Sequence, residues 1–156
     1  MDKATYTALC EEHLPAFFRT ACSILHNPAD AEDAVQQALL RAWHMRTKAR
    51  PGLERAWVMR IVINESITLL RKRRRILPTE DVPALAAPAP EDHAALHAAI
   101  HALPETLRTP LLLKYMEGMS EKEVAAALHI PLSSVKNRLF RARKALQKQL
   151  SEEVQP

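Results

Sequence analysis

The sequence predicts an all-α protein in which two small helical domains are joined by an extended, acidic linker rich in Pro and Ala. Only two of the 156 residues are glycines, whereas an average chain of this length would hold roughly ten, and Ala and Leu are prominent. Apolar side chains recur at helical spacing on both sides of the chain's middle. Between the two helical parts, a run of prolines interrupts the pattern. The scarcity of glycine also excludes the glycine-rich phosphate loops of nucleotide-binding enzymes.

The first domain is expected to span residues 1–76 and to contain about three helices. The first helix covers Thr5 to Leu25, although Pro15 should break or kink it. The second opens with Asn27 as a capping residue and Pro28 in the first helical position, and its apolar stripe continues through ALLRAW. The third, LERAWVMRIVINESITLLRKRRR, has a broad apolar surface and ends in five consecutive cations.

The linker is expected at residues 77–90, because Pro78, Pro83, Pro88 and Pro90 fix φ and remove backbone donors. The charge changes at the same place. Residues 1–75 carry a net charge of +5, residues 76–106 carry −5 without any Lys or Arg, and residues 107–156 carry +4.

The second domain is expected to span residues 91–156 and to contain four helices. The first covers His93 to Leu103, and its inner face is predicted to consist of Leu96, Ala99, Ile100 and Leu103. The next covers Leu107 to Met116 and is ended by Gly118, with Pro110 either in its first turn or at a kink.

A helix-turn-helix is predicted for the last two helices of this domain. Ser120 and Glu123 form a capping box that opens SEKEVAAAL, whose Val124, Ala125 and Leu128 should face inward. The small Ala125 suits the helix crossing, and His129 occupies a turn position that often holds Gly. Ser133 is the predicted N-cap of the last helix, whose inner stripe should be Val135, Leu139, Ala142 and Leu146.

The outer stripe of the last helix combines cations with Asn137 and Phe140. Lys and Arg can bind phosphates or guanine edges, Asn137 can pair with adenine, and an exposed Phe140 can contact a thymine methyl group. Ser133 and Ser134 at the helix N-terminus can also donate to a phosphate. The alternatives are that the charges form an ordinary solvated face and that Phe140 packs under the preceding helix.

The third helix carries a second cationic surface, on which Arg60, Asn64, Arg71 and Arg74 surround an apolar body containing Trp57. Such a surface suits the backbone of a nucleic acid and its unstacked bases. The alternative places Trp57 in the core and leaves RKRRR to solvent at a helix C-terminus.

Three segments, in this order, resemble a sigma-70-family transcription initiation factor of the extracytoplasmic-function group. DAEDAVQQALLRAW resembles region 2.2, RAWVMRIVINESITLLRKRRR resembles regions 2.3 and 2.4, and LPETLRTPLLLKYMEGMSEKEVAAALHIPLSSVKNRLFRARKAL resembles region 4. The resemblance covers about residues 15–75 and 103–150. It implies a protein that binds core RNA polymerase and directs it to promoters by recognising −35 duplex DNA and melted −10 DNA.

The resemblance also implies a role for each predicted site residue. The polymerase β′ coiled-coil would be bound by Asp33, Gln36 and Gln37, and the β flap by the apolar surface of region 4. The −10 element would be bound by Arg60, Asn64, Arg71 and Arg74, with Thr47 to Leu53 as a pocket for a flipped-out base. The −35 element would be read by Ser134, Lys136, Asn137, Arg138, Phe140 and Arg141.

Further partners follow from the same resemblance. An anti-sigma factor is expected, and the acidic linker would thread toward the polymerase's active-site cleft and RNA exit channel until RNA displaces it. Family members often have Asp where Thr68 stands, so a contact made by that Asp is not expected here.

Other functional classes are disfavoured by the residues themselves. No nucleophile motif is recognisable, so an enzyme, a cofactor and a small-molecule substrate are not expected. Cys10 and Cys22 read as small buried hydrophobes, and the absence of an apolar run of membrane-spanning length favours a cytoplasmic protein that is not itself membrane-inserted. His93, His97 and His101 lie at i, i+4 and i+8 and span about 12 Å, too far to bind one metal ion together. The rival function is a stand-alone helix-turn-helix regulator that binds operator DNA without polymerase.

Overall fold

The computed structural model describes the backbone of residues 1–76 and 94–154, so the predicted linker and His93 lie outside the described residues. The described ranges are all-helical, as the sequence predicts. They contain a 3₁₀ turn, Arg46–Lys48, and seven α-helices: α1 Lys3–Leu25, α2 Pro28–His44, α3 Glu54–Ile76, α4 Ala94–Ala102, α5 Glu105–Tyr115, α6 Glu121–Leu128 and α7 Leu132–Val154. One compact unit contains α1, α2 and α3, and a second contains α4, α5, the start of α6 and α7.

Helix α1 runs without interruption through Pro15, so the expectation that Pro15 breaks it is wrong. Proline removes the bond to the carbonyl four residues earlier, which here belongs to the exposed Glu11 and is open to water. The helix continues because its other face is buried, with Phe17 and Ile24 almost fully covered. It ends at His26, which adopts a left-handed conformation with φ 54°.

The first unit is held together by pairwise packing of its three helices. Small side chains line the buried face of α2, which lets the neighbouring helices approach closely. The Asn27 cap is confirmed, since its Oδ1 accepts from the backbone N–H of Asp30 at 3.1 Å and Pro28 follows in the first helical position. The core of this unit includes Phe17, Ala21, Ile24, Ala31, Val35, Ala38, Ala42, Val58, Met59 and Val62.

The second unit begins with the short helices α4 and α5. Leu96 is 38% exposed, so its predicted place on the inner face of α4 is wrong, while Ala99 and Leu103 are buried as expected. Arg108 is almost completely buried and donates from Nη1 to the carbonyls of His101 and Leu103 at 3.3 and 3.1 Å. This cation therefore stabilises the C-terminal end of α4.

Helix α5 starts two residues earlier than the sequence predicts, which places Pro110 in its middle and not in its first turn. After α5 ends, Gly118 adopts a left-handed conformation with φ +66°. The chain can then reverse toward α6, because glycine reaches positive φ without the strain that a side chain imposes.

The helix-turn-helix is largely as predicted. The capping box is present: Glu123 N–H donates to Ser120 Oγ at 3.1 Å, and Ser120 N–H donates to Glu123 Oε1 at 3.2 Å. His129 in the turn has φ 56°, the left-handed conformation expected there. Val124 and Ala127 are buried, whereas Ala125 and Leu128 are only half-buried.

The predicted N-cap of α7 is wrong by two residues. Helix α7 already includes Leu132, and the backbone N–H groups of Ser134 and Val135 both bond to the carbonyl of Pro131. Ser133 therefore lies inside the first turn. Proline at position 131 fixes φ before the helix, so the helix can start there without a side-chain cap. Along the rest of α7 the predicted inner stripe is buried at Val135, Leu139 and Ala142 and half-buried at Leu146.

Among the described residues, every helix is too short or too polar to cross a lipid bilayer.

Candidate nucleic-acid interface

Helix α3 carries the predicted −10 residues on one outward surface, which we call the α3 face: Trp57, Arg60, Asn64, Arg71 and Arg74. At 100° per residue the last four fall within a sector of about 80°, and Arg60 and Arg74 are about 21 Å apart along the helix axis. Asn64, Arg71 and Arg74 are exposed and Arg60 is half-buried. The opposite side of the helix supplies the core of the unit, with Val58, Met59, Val62 and Ser66 fully or almost fully buried.

Trp57 belongs to the α3 face and not to the core. It lies one helical turn before Arg60 and Ile61 and is half-buried, whereas its neighbours Ala56 and Val58 are completely buried. An indole at the edge of a cationic surface can stack on an unstacked base. The ring therefore lies partly outside the core, and its part in a cation-plus-aromatic surface stays a prediction.

Among the five cations at the end of α3, some form ion pairs with other described residues of the protein and others do not. Arg73 donates from Nη2 to Oδ1 of the buried Asp30 at 2.6 Å, and its Nε pairs with Oδ2 of the same carboxylate. Arg71 and Arg74 have no acidic partner in the part of the chain that the structure describes. Arg73 therefore ties α3 to the first turn of α2, while Arg71 and Arg74 remain available for an anionic ligand.

The loop between α2 and α3, residues 46–53, makes contacts at both of its ends. The Arg46 guanidinium lies 3.8 Å from the centre of the Trp43 ring and donates from Nη1 to the Trp43 carbonyl at 2.9 Å. At the other end, Leu53 N–H bonds to the Arg50 carbonyl across a turn that contains Gly52 at φ +84°. Lys48 and Arg50 are exposed at the surface of this loop.

Helix α7 presents the second candidate surface, the α7 face: Lys136, Asn137, Phe140, Arg141 and Lys144. All five side chains are exposed, and Phe140 is 55% exposed with the Lys144 Nζ 5.4 Å from its ring centre. The interpretation in which Phe140 packs under the preceding helix is therefore wrong. An exposed aromatic ring among cations matches the requirements of a major-groove contact.

Two predicted −35 residues lie beside the α7 face and not on it. Ser134 and Arg138 are half-buried, and Arg138 lies about 160° around the helix from Phe140. The structure therefore brings together Lys136, Asn137, Phe140 and Arg141 and sets Ser134 and Arg138 at the flank, where a long arginine can still reach outward.

Side chains elsewhere in the second unit pair with each other. Arg143 donates to the Tyr115 hydroxyl at 2.5 Å, and Lys114 lies 3.7 Å from Glu121. By contrast, Lys136 and Arg141 have no acidic partner among the described residues. Lys136 and Arg141 are thus available for an anionic ligand.

Helix α2 presents a third surface, which we call the α2 face: Asp33, Gln36, Gln37 and Leu40. All four side chains are exposed, within a sector of about 100°. Leu40, which is 57% exposed, was missed by the sequence interpretation. Leu40 follows Gln37, Gln36 and Asp33 by three, four and seven residues, and this helical spacing could have placed it on the same face. An apolar side chain surrounded by polar ones is the usual composition of a protein docking surface.

The described residues contain no cluster of three or more His, Cys, Asp or Glu side chains arranged to bind a metal ion. Cys10 and Cys22 are half-buried free thiols, and burial raises the pKa of both. Burial and the nearby Arg108 lower the pKa of His101.

Two family matches cover most of the chain. Residues 9–76 match the family described as Sigma-70 region 2, and residues 93–146 match Sigma-70, region 4. The RNA polymerase sigma factor SigV of Bacillus subtilis is 31% identical, over 97% of this chain and 94% of SigV. The ECF RNA polymerase sigma factor SigE of Mycolicibacterium smegmatis is also 31% identical, over 94% of this chain and 62% of SigE.

A solved structure is similar along most of its length as well. It is the sigma factor RpoE in complex with the anti-sigma factor NepR from Bartonella quintana. Its TM-score is 0.75 at 27% identity, with 94% of this chain and 97% of that chain covered.

Proposed function

Because this chain belongs to the sigma-70 family of RNA polymerase sigma factors, in the extracytoplasmic-function group, we propose that its two helical units divide promoter recognition between them. The protein is a transcription initiation factor. In our assignment, residues 1–76 form the −10 and polymerase-docking domain, residues 77–90 form the linker, and residues 91–156 form the −35 domain. The ranges of the two family matches support this division.

The α3 face is the proposed −10 surface. Arg60, Arg71 and Arg74 bind the phosphates of the non-template strand, and Asn64 lies between them with donors and acceptors for a base edge. Trp57 offers a ring on which an unstacked base can rest. Because Arg73 is engaged by Asp30, it contributes to the position of the helix end and not to strand binding.

The α7 face is the proposed −35 surface, inserted into the major groove as the second helix of a helix-turn-helix. Phe140 contacts a thymine methyl group, Asn137 an adenine edge, and Lys136 and Arg141 phosphates or guanine edges. Ser134 at the start of the helix and Arg138 at its flank contact the DNA backbone on either side of the groove.

The α2 face is the proposed docking site for the β′ coiled-coil of core polymerase. Leu40 supplies the apolar centre, and Asp33, Gln36 and Gln37 supply a polar rim that sets the register. Exposed apolar residues of the second unit, Tyr115 and Met116, are suited to the β flap. An anti-sigma factor is a further proposed partner, supported by the complex in which the similar RpoE was solved.

The observation that carries this assignment is the pair of outward faces, one in each unit, on which unpaired cations surround an exposed or half-exposed aromatic ring. Run-off transcription with core polymerase and a genomic promoter library tests it. We expect transcripts only when both the protein and core polymerase are present. The promoters recovered should share two elements at a fixed separation.

The stand-alone regulator is not favoured by the family matches, and the same preparation provides its test. A regulator would protect a palindromic operator from nuclease without polymerase, whereas a sigma factor should protect promoter DNA only as part of the holoenzyme. Protection of a palindrome by the purified chain alone, with no stimulation of transcription, would refute the proposed function.

A further inference from the structure

We propose that Arg46 is a positioning residue for promoter melting: its stack on Trp43 holds loop 46–53 in a preformed shape that presents Lys48 and Arg50 to the DNA strand. This inference rests on the proposed function, because the strand in question is the one that the α3 face binds. It adds the Arg46–Trp43 anchor to the loop Thr47 to Leu53, which the family resemblance already assigns to a flipped-out base.

Arg46 is fixed by two contacts of different kinds. Its guanidinium carbon lies over the Trp43 ring, 3.8 Å from the ring centre, and the same group donates from Nη1 to the Trp43 carbonyl at 2.9 Å. Trp43 is itself held, because the ring of the buried Tyr6 packs against it at 5.4 Å and the Tyr6 hydroxyl donates to the Leu39 carbonyl. The start of the loop is therefore anchored through aromatic side chains to α1 and α2.

The end of the loop is fixed independently. The turn closed by Leu53 N–H and the Arg50 carbonyl has Pro51 and Gly52 in its two central positions, and the φ of +84° at Gly52 needs a residue without a side chain. Gly52 N–H donates to the Glu54 carboxylate at 2.8 Å. With both ends tied, the loop enters the complex already folded, which reduces the conformational entropy lost on binding.

Between the two anchors lie the exposed cations Lys48 and Arg50. Neither has an acidic partner among the residues that the structure describes, and the nearest carboxylate in sequence, Glu54, is engaged by the Gly52 amide. The loop leads directly into α3, so these exposed charges lie close in sequence to the N-terminal end of the helix that carries the α3 face. Two cations on a rigid loop suit the phosphates on either side of one unstacked nucleotide.

The chemistry of the anchor requires arginine. A guanidinium can stack flat on an indole and donate in its own plane at the same time, whereas an ammonium group cannot do both. Arg46→Lys should therefore release the loop although the charge is kept. Trp43→Phe retains an aromatic face for stacking and should largely preserve the loop.

The test has a DNA-free part and a DNA-dependent part. Amide hydrogen exchange of residues 46–53 in the chain alone should be faster in Arg46→Lys and Arg46→Ala than in the wild type and in Trp43→Phe. The matched control is Arg41→Gln, which removes the ion pair of an exposed arginine with Glu65 and leaves the loop contacts intact. Unchanged exchange in both Arg46 variants overturns the proposal.

The second part follows promoter melting by holoenzyme, using 2-aminopurine placed at each −10 position of the non-template strand. We expect Arg46→Lys and Lys48→Ala/Arg50→Ala to slow the fluorescence rise about fivefold at one or two neighbouring positions, with −35 duplex binding unchanged. A slowing that is equal at all positions, or equal in Arg41→Gln, would show only a structural role and overturn the proposal. A wild-type holoenzyme without any fluorescence rise would refute the proposed function itself.

Discussion

The ion pair between Arg73 and Asp30 gives a prediction in which neighbouring arginines of one cationic run behave in opposite ways. The Asp30 side chain is 8% exposed and the Arg73 side chain 40% exposed. Arg73→Gln leaves a buried carboxylate without its cation, which we expect to destabilise the first unit by about 1–3 kcal/mol. The destabilisation is smaller than for a fully isolated buried charge, because Asp30 lies in the first turn of α2, where the helix dipole favours a negative charge.

Asp30→Asn should cost less than Arg73→Gln, about 1 kcal/mol, since the half-exposed Arg73 can turn toward water once its partner is gone. Arg74→Gln, the matched control, removes an exposed arginine without an acidic partner among the described residues and should change stability by less than about 0.5 kcal/mol. In a unit of this size, 1 kcal/mol corresponds to roughly 4–8 °C in Tm.

Tryptophan fluorescence during urea or thermal unfolding measures this effect selectively, because both tryptophans of the chain, Trp43 and Trp57, lie in the first unit. The DNA assay should reverse the order of the two variants. Binding of holoenzyme to a single-stranded −10 oligonucleotide should lose about 0.7 from its log–log salt slope in Arg74→Gln and nothing in Arg73→Gln. Equal destabilisation by both substitutions, or an equal loss of slope, would refute the division of the RKRRR run.

Three further predictions concern single side chains. Phe140→Ala should weaken binding of holoenzyme to −35 duplex DNA by about 1 kcal/mol and leave the thermal stability unchanged, because the ring is already 55% exposed; a lower Tm with unaltered DNA binding would contradict this. Ser120→Ala should destabilise the second unit by about 1 kcal/mol in a circular-dichroism melt, whereas Ser133→Ala, which removes no cap, should cost less than half as much. Cys10 and Cys22 should be alkylated by iodoacetamide at pH 8 more slowly than free cysteine. Burial raises the pKa of both thiols and so lowers the fraction present as thiolate. Unfolding in urea should abolish the difference in rate.

Features with a local physical cause could be read from the sequence. The caps at Asn27 and Ser120 each join residues three positions apart. The left-handed backbone conformation of His129 follows from its place in the short turn between two helices. The periodicity of α7 likewise predicted its outer stripe of Lys136, Asn137, Phe140, Arg141 and Lys144, all of which are exposed. Local rules failed where tertiary packing outweighed them, as in α1, where burial of the opposite face carries the helix through Pro15.

The features that sequence reasoning missed depend on contacts between distant residues. The pairing of Arg73 with Asp30 joins positions 43 residues apart, so no pattern within the RKRRR run marks that arginine as structural. The exposure of Leu96 and Leu40 depends on how much of each helix its neighbours cover, which periodicity alone does not determine. Arg46 and Trp43 are close in sequence, but the Trp43 ring is held in place by the distant Tyr6, which packs against it.

Site-specific photocrosslinking in the promoter open complex tests the division of labour between the two units most directly. Benzoylphenylalanine would replace Asn64 on the α3 face in one holoenzyme and Phe140 on the α7 face in another, since both positions are exposed. We predict crosslinks from position 64 to the non-template strand of the −10 element and from position 140 to the −35 duplex. Crosslinks from both positions to the same element, or from position 64 to duplex DNA only, would contradict the account.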